Sequence, residues 1–286
     1  MRLESRWAGA TRQTAGTLIM LLAAASYAHA QTAAKPATPA TASAAVPAAA
    51  EPQPDAKAIL KRMAEFLGGT PRFTVNVRAG YDAVQKSGQK IEFGETRKIT
   101  VNRPDRLRMD SERSDGDKLV VVFDSKEIML FDASKNVYAT TAQPGGLDQS
   151  VVHFRQTLGM RLPLAPLLVS QLPLELERRV KSVAYVEKTQ LLGAPAHHLA
   201  ARTDAVDFQV WIADGDKPLP LRIVLTYKDE PGQPQYWAQF SDWNLAPQIA
   251  DSTFAFKPPA GAQKIAFAAE LARVAPKTKA SPAKKG

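Results

Sequence analysis

The chain has no cysteine among its 286 residues. Disulfide bonds, thiolate nucleophiles and metal sites built from cysteine are therefore excluded. A folded domain of this chain must be stabilised by its hydrophobic core, and an apolar fraction of 45% is sufficient for that.

Familiar catalytic motifs are missing as well. The sequence contains no Gly-x-Ser-x-Gly elbow, no His-Glu-x-x-His zinc motif and no glycine-rich phosphate loop. These absences remove every easily recognised mechanism without excluding an enzyme. The protein that we predict is not an enzyme, and no cofactor or metal is predicted for it.

Histidine is scarce, and only His153, His197 and His198 lie beyond the first thirty residues. Neighbouring residues of a β-strand point to opposite faces of the sheet, so His197 and His198 cannot bind one metal ion in regular β geometry. We expect one of these two imidazoles to face the core and the other to lie at the surface.

The acidic residues occur in short groups that indicate turns. Asp214-Gly215-Asp216 lacks the alternating oxygen ligands and the terminal glutamate of a calcium loop. Asp115 with Asp117, and Asp204 with Asp207, lie in predicted turns or at predicted strand ends. An envelope hydrolase that uses such carboxylates or His198 is the least favoured functional hypothesis.

The first thirty residues have the pattern of a cleavable export signal. Three arginines precede an apolar run at 18–25, and Ala28-His29-Ala30 supplies the small residues of a cleavage site. The apolar run is shorter than the about 20 residues of a membrane-spanning helix. We predict cleavage after Ala30, giving a periplasmic or secreted chain without a transmembrane span. No lipid anchor is expected, because Gln31 and not cysteine follows the cut.

Low-complexity segments flank the predicted domain. Residues 31–54 consist mainly of alanine, proline and threonine, which cannot bury enough apolar surface to offset their conformational entropy. They predict a disordered linker. Residues 270–286 predict a disordered basic tail. The net charge of +9 comes largely from this tail and the leader, so no nucleic-acid partner is predicted.

Residues 55–269 indicate one domain rich in β-strands. Phe73, Val75 and Val77 alternate with polar neighbours, which is the period of a strand with one buried face. Further strands are predicted through 91–141 and again through 183–243. Hairpins connected this closely favour an α+β fold with one antiparallel sheet, twisted and curled, and a few helices on its concave face.

Two of the helices have recognisable ends. Asp55 is the predicted N-cap of the first, whose apolar residues recur at helical spacing up to Gly68-Gly69. Asp148 is the predicted N-cap of the second, with Leu147 and Val152 as a hydrophobic staple.

Several uncommon motifs occur in order and resemble the DUF2092 family of predicted periplasmic proteins. They are Arg103-Pro104, LPLAPLL from residue 162, GAPAHHLA from residue 193, and the stretch from 205 to 267 that contains DFQVWIADGDKPLPLRIVLTY. That family is similar to the LolA/LolB-like lipoprotein-carrier folds. The resemblance implies a curved antiparallel β half-barrel of about eleven strands around helices, with an apolar hollow that receives acyl chains.

The leading hypothesis is a periplasmic, non-enzymatic binding or carrier protein. Its ligand would be a lipid, a lipoprotein acyl chain or another apolar envelope component. The segment Leu162–Val169 allows only a short helix beginning near Pro166, and would cover the ligand through Leu164, Leu167 and Leu168. The predicted cavity wall consists of apolar strand residues: Phe73, Val75, Val77, Ile99, Val101, Leu107 and Met109.

An interaction module is the alternative. An apolar sheet face is equally expected of a filled core, in which case the sheet edges or the basic tail would contact another envelope protein. The sequence leaves both hypotheses open.

Overall fold

The computed structural model describes residues 53–160 and 162–267. The predicted leader, the predicted linker up to residue 52 and the predicted basic tail lie outside the described residues, so they stay predictions. Each helix in the described ranges is too short or too polar to span a lipid bilayer.

Three α-helices form within these ranges: α1 (Ala56–Gly69), α2 (Leu147–Val152) and α3 (Leu172–Arg179). Asp55 caps α1 as predicted, because its carboxylate accepts hydrogen bonds from the N–H groups of Lys57 and Ala58 at 2.9 and 3.1 Å. Helix α3 was not predicted from the sequence.

The predicted start of α2 is wrong. Gly146 is the N-cap, and Asp148 lies in the first turn. The Asp148 carboxylate instead accepts hydrogen bonds from the N–H and the hydroxyl of Ser170, at 2.9 and 2.6 Å. Val152 is 49% exposed and so forms no hydrophobic staple. The Asp148 carboxylate therefore binds Ser170, which is distant in the sequence, and does not cap α2.

Twelve strands form one sheet in the described part of the chain. They are β1 (Arg72–Val84), β2 (Lys90–Asn102), β3 (Arg106–Arg113), β4 (Lys118–Phe123), β5 (Glu127–Asp132), β6 (Val137–Ala142), β7 (Ser182–Leu191), β8 (Ala194–Arg202), β9 (Val206–Ala213), β10 (Pro220–Tyr227), β11 (Gln235–Asn244) and β12 (Gln263–Lys264).

The strand order is β12-β6-β5-β4-β3-β2-β1-β11-β10-β9-β8-β7. All neighbours are antiparallel except β12, which pairs in parallel with β6. The sheet is curved and open, and the helices pack on its concave face. The predicted α+β half-barrel is confirmed, with the two-residue β12 as an additional strand.

The concave face carries the main hydrophobic core. Phe73, Val75 and Val77 of β1 lie in it with helix residues such as Leu60 and Leu67 of α1. The alternation of apolar and polar residues along these strands therefore indicates which side chains face the helices.

The convex face has a second, smaller core beyond β11. Phe254, at a 3₁₀ turn (Asp251–Phe254), is buried with Val122, Met129 and Phe131. The chain thus passes from the middle of the sheet over β4 and β5 before β12 pairs with β6. This segment covers apolar side chains that would otherwise face water.

A candidate ligand cavity between the sheet and the helices

A cavity of about 700 Å³ lies on the concave face and is open to solvent. Strands β9 and β10 form one wall, α1 and α3 contribute the opposite side, and residues from Gly159 to Leu167 form a third boundary. Its volume falls within the about 300–1,000 Å³ that ligand pockets usually have.

Alternating residues of two neighbouring strands supply the sheet wall of this cavity. Phe208 and Val210 of β9 stand opposite Leu225 and Ile223 of β10 in the register of the pair. Residues two apart on a strand share a face, so all four side chains point toward the helices.

Helix α3 supplies apolar side chains at matching spacing. Leu172 and Leu176, four residues apart and so on one face of the helix, both line the cavity. Pro173 lies in the first helical turn, where the missing N–H leaves no intrahelical hydrogen bond unmade.

The cavity collects apolar side chains that the core leaves partly exposed. Eight such residues pack against the main core and also line the cavity: Met160, Leu162, Leu167, Leu176, Val180, Phe208, Leu225 and Tyr227. These incompletely buried apolar side chains thus share one space, and such a patch is typical of a binding site.

The seven residues predicted as the cavity wall all lie in the main hydrophobic core. Each of them is at most 5% exposed. The space between β1–β3 and the segment from Leu162 to Leu168 measures only about 20 Å³, roughly enough for a single water molecule. Side chains such as Leu164, Phe240 and Trp243 line it. Ligand contact by the seven residues would require this segment to move and stays a prediction.

The cover segment (Leu162–Val169) contains a 3₁₀ turn at Ala165–Leu168, one residue before the predicted start. Leu164 and Leu167 line the 700 Å³ cavity, as well as the filled space beside β1. Leu168 lines only the filled space. The structure therefore brings two of the three predicted cover residues to the cavity.

Two polar side chains fix the C-terminal end of the cover segment. Arg103 donates hydrogen bonds to the carbonyl oxygens of Thr70 and Leu168, at 3.0 and 2.9 Å. Asp148 holds Ser170, the residue after the segment. Burial lowers the pKa of Arg103, and the nearby Asp148 carboxylate opposes that shift.

The sequence analysis did not assign the residues of β9 and β10 to the cavity wall, although it predicted both strands. The alternation at 208–212 and 219–227 predicts both strands, but it does not say which part of an apolar face stays uncovered. The Leu172/Leu176 spacing next to Pro173 could have indicated α3.

The two adjacent histidines contact different groups, and neither is a surface imidazole as predicted for one of them. His197 lies 3.1 Å from the Asp214 carboxylate and 3.3 Å from the Tyr185 hydroxyl. The His198 ring stacks on Trp211 at 4.0 Å between ring centroids, and this stacking shields it from solvent. No histidine lies among the cavity-lining residues within the described ranges.

The predicted acidic pairs are bound to basic side chains and do not face one another across a cleft. The ion pairs are Arg113 with Asp115 and with Asp117, Lys181 with Asp204, and Lys228 with Asp207. Within the part of the chain that the structure describes, no group of three or more His, Asp or Glu residues could hold a metal ion.

Comparison with known proteins gave structural matches at low identity. The lipoprotein LppX from Mycobacterium tuberculosis is 13% identical, with a TM-score of 0.43, over 68% of this chain and 97% of LppX. A LolA superfamily protein from Nitrosomonas europaea is 12% identical, with a TM-score of 0.37, over 70% and 96%. The MucA/MucB complex structure from Pseudomonas aeruginosa matches at 18% identity and a TM-score of 0.40, over 70% of this chain and 60% of that one.

No functionally curated protein matches the chain. The family described as "Predicted periplasmic protein (DUF2092)" matches residues 56–268, which include almost all of the described residues. The resemblance inferred from the motifs is therefore confirmed, and this chain belongs to the DUF2092 family of predicted periplasmic proteins.

Proposed function

We propose that this protein binds the apolar chain of a lipid or of an acylated envelope molecule, and carries it without chemical change. The observation that carries the proposal is the 700 Å³ cavity, whose walls are apolar strand and helix residues. Export to the periplasm through the predicted leader belongs to the same proposal.

Burial of an acyl chain in this cavity supplies enough free energy for useful binding. Each CH₂ group removed from water contributes roughly 0.8 kcal/mol. The partly exposed wall residues, such as Phe208 and Leu225, would lose their remaining contact with water at the same time. Binding therefore needs no catalytic or charged group inside the cavity.

The arrangement of the ionisable groups supports binding without catalysis. His197 and His198 lie outside the cavity lining, and the lining carboxylates Glu175 and Asp204 are each paired with a basic side chain. A hydrolase would place a base and an acid within hydrogen-bond distance of a bound substrate.

A bulky residue at the cavity rim tests the proposal. Ala205 lies in the exposed turn before β9 and lines the cavity, so Ala205→Trp places an indole ring at the opening without disturbing the core. Ala133→Trp, in the exposed turn between β5 and β6, is the matched control. Each protein is purified from its native cells and extracted with organic solvent, and the extract is analysed by mass spectrometry.

The expected result is a bound lipid in extracts of the unaltered protein and of Ala133→Trp, with much less from Ala205→Trp. Binding of the uncharged fluorescent probe N-phenyl-naphthylamine to the delipidated proteins should follow the same order. An empty extract together with no probe binding by the unaltered protein would refute the proposal.

A second candidate function is protein docking at the edge strand β7. In the described residues β7 pairs only with β8, and Val186 is 49% exposed on it. Such an edge can accept a strand from a partner protein. A photo-crosslinker at Val186 that captures one envelope protein in cells, combined with an empty lipid extract, would favour this function over lipid binding.

A further inference from the structure

The rim of the cavity carries charged side chains from several elements. Arg155 follows α2 in a π-helical turn, and Arg178 lies in the last turn of α3. Both side chains line the cavity and both residues are exposed. They approach the opening from different parts of the chain.

The acidic residues of the rim are already engaged. Glu175 pairs with Arg179 at 2.7 Å, and Asp204 pairs with Lys181 at 3.2 Å. Glu230 is likewise not without a partner.

The rim cations Arg155 and Arg178 differ from these carboxylates. In the described ranges no ion pair involves either of them, whereas each rim carboxylate has a partner. The charges available to a ligand at this opening are therefore positive.

The apolar interior and the cationic rim together fit one kind of ligand. A charged head group does not enter an apolar cavity, because it would lose its hydration without gaining partners. The chain of an amphiphile can occupy the interior while its head stays in water at the opening. Guanidinium groups at that opening bind phosphate or carboxylate oxygens through charge-assisted hydrogen bonds.

We infer that the ligand is an anionic amphiphile, whose apolar chain occupies the cavity and whose phosphate or carboxylate head group binds Arg155 and Arg178. This inference rests on the proposed function, because it assigns a head group to the ligand of the same cavity.

The test compares ligands that share a chain and differ in head group. Dodecyl phosphate and dodecyltrimethylammonium below their micelle-forming concentrations, and dodecanol below its solubility limit, are each used to displace N-phenyl-naphthylamine from the delipidated protein. Inorganic phosphate is added separately, to show whether the head group alone competes. The same series is run with the double variant Arg155→Gln/Arg178→Gln.

Dodecyl phosphate should bind more tightly than the other two amphiphiles, and inorganic phosphate should not compete. The double variant should lose this preference by a factor of up to about ten, since exposed ion pairs are individually weak. Raising the salt concentration should reduce the preference of the unaltered protein in the same direction.

Arg72→Gln/Lys126→Gln is the matched control, because it removes the same charge from two exposed residues that do not line the cavity. It should keep the preference for dodecyl phosphate. Equal displacement by all three amphiphiles, or an unchanged preference in the rim variant, would overturn the inference and leave the proposed function standing. Failure of the probe and of every amphiphile to bind would overturn both.

Discussion

At the scale of single residues, Arg103 connects three parts of the fold. Its guanidinium bonds the carbonyl oxygen of Thr70, after α1, and that of Leu168 in the cover segment. It also lies 5.6 Å from the centre of the Phe73 ring. Together with the Asp148–Ser170 hydrogen bonds, Arg103 thus helps to hold the cover segment against β1.

We expect Arg103→Ala to lower the free energy of unfolding by about 2–4 kcal/mol, because two carbonyl groups lose a charged donor. Hydrogen exchange at the Ser170 amide should become faster. Arg103→Lys should give an intermediate loss, since an ammonium group lacks the planar fork that reaches both oxygens. Urea unfolding measures all three proteins, and an Ala variant as stable as the unaltered protein would contradict this role.

Asp214 gives a residue-scale prediction about pH. Its pKa is lowered, first by a hydrogen bond from Lys188 and further by His197. A lowered pKa in the folded state means that the ionised carboxylate stabilises the fold above its ordinary pKa of about 4. This stabilisation is lost as the pH falls through the lowered value.

Asp214→Asn should therefore have a slightly lower Tm than the unaltered protein at neutral pH, because exposed ion pairs are weak. The difference should vanish in acid. Asp216→Asn is the matched control, because no ion pair involves Asp216 in the described residues. Thermal unfolding across the pH range measures both, and a difference that grows toward low pH would contradict the assignment.

At the scale of elements, the contact between α1 and the end of the cover segment depends on one glycine. A Cβ atom at Gly68 would lie 2.8 Å from the backbone oxygen of Ser170 and 3.3 Å from Pro173. A Cβ atom at Gly69, the next residue of α1, would have no neighbour within 4 Å. The close approach of these elements thus requires glycine at only one of the two positions.

Gly68→Ala should lower the free energy of unfolding by about 1–3 kcal/mol, because α1 must move away from Ser170. Gly69→Ala should be neutral or should stabilise by about 0.4–1 kcal/mol, since the backbone conformation of Gly69 suits alanine and alanine restricts the unfolded chain. Denaturant unfolding of the two variants side by side is the measurement. Equal effects would show that the Ser170 contact does not restrict the helix.

The element scale also shows where sequence patterns were sufficient. Alternation in β1, β9 and β10 predicts these strands and the faces that they bury, because the period of a strand is a local property. Helix α3 was missed because it has only eight residues and Pro173 resembles a helix-breaking signal.

At the scale of the whole molecule, the two halves of the sheet differ in how they are covered. The cover segment packs closely on β1–β3, and a space of only about 20 Å³ remains between them. Over β9 and β10 the same segment does not contact the sheet closely, and a cavity of about 700 Å³ remains between them. One apolar sheet face therefore forms a filled core at its centre and a cavity beside it.

A bound amphiphile should stabilise the whole domain. At a free ligand concentration one hundred times Kd, the free energy of unfolding should rise by about 2.7 kcal/mol. Hydrogen-exchange protection should increase in α3 and around β9 and β10, and stay unchanged in β1–β3. Protection confined to β1–β3 would instead show that the ligand lies beneath the cover segment. The segment must then open, as ligand contact by the seven predicted wall residues requires. Ala205→Trp should show neither effect.

The sequence by itself determined the family, the antiparallel sheet and the apolar nature of its concave face. Local periodicity, caps and turns are sufficient for these properties, because each depends on residues close together in the chain. Phe73, Val75 and Val77 were correctly predicted to share one face. Their apolar character could not indicate whether that face met a ligand or the protein's own side chains.

Only the tertiary structure decided where empty space lies. The volume left over β9 and β10 depends on how α1, α3 and Leu162–Val169 pack together, and more than ninety residues separate the end of α1 from Leu162. Packing between segments so far apart in the sequence depends on the sum of many weak contacts and hydrogen bonds, such as those of Arg103. These interactions leave no periodic signal in the sequence. The position of the cavity is therefore a property of the assembled fold.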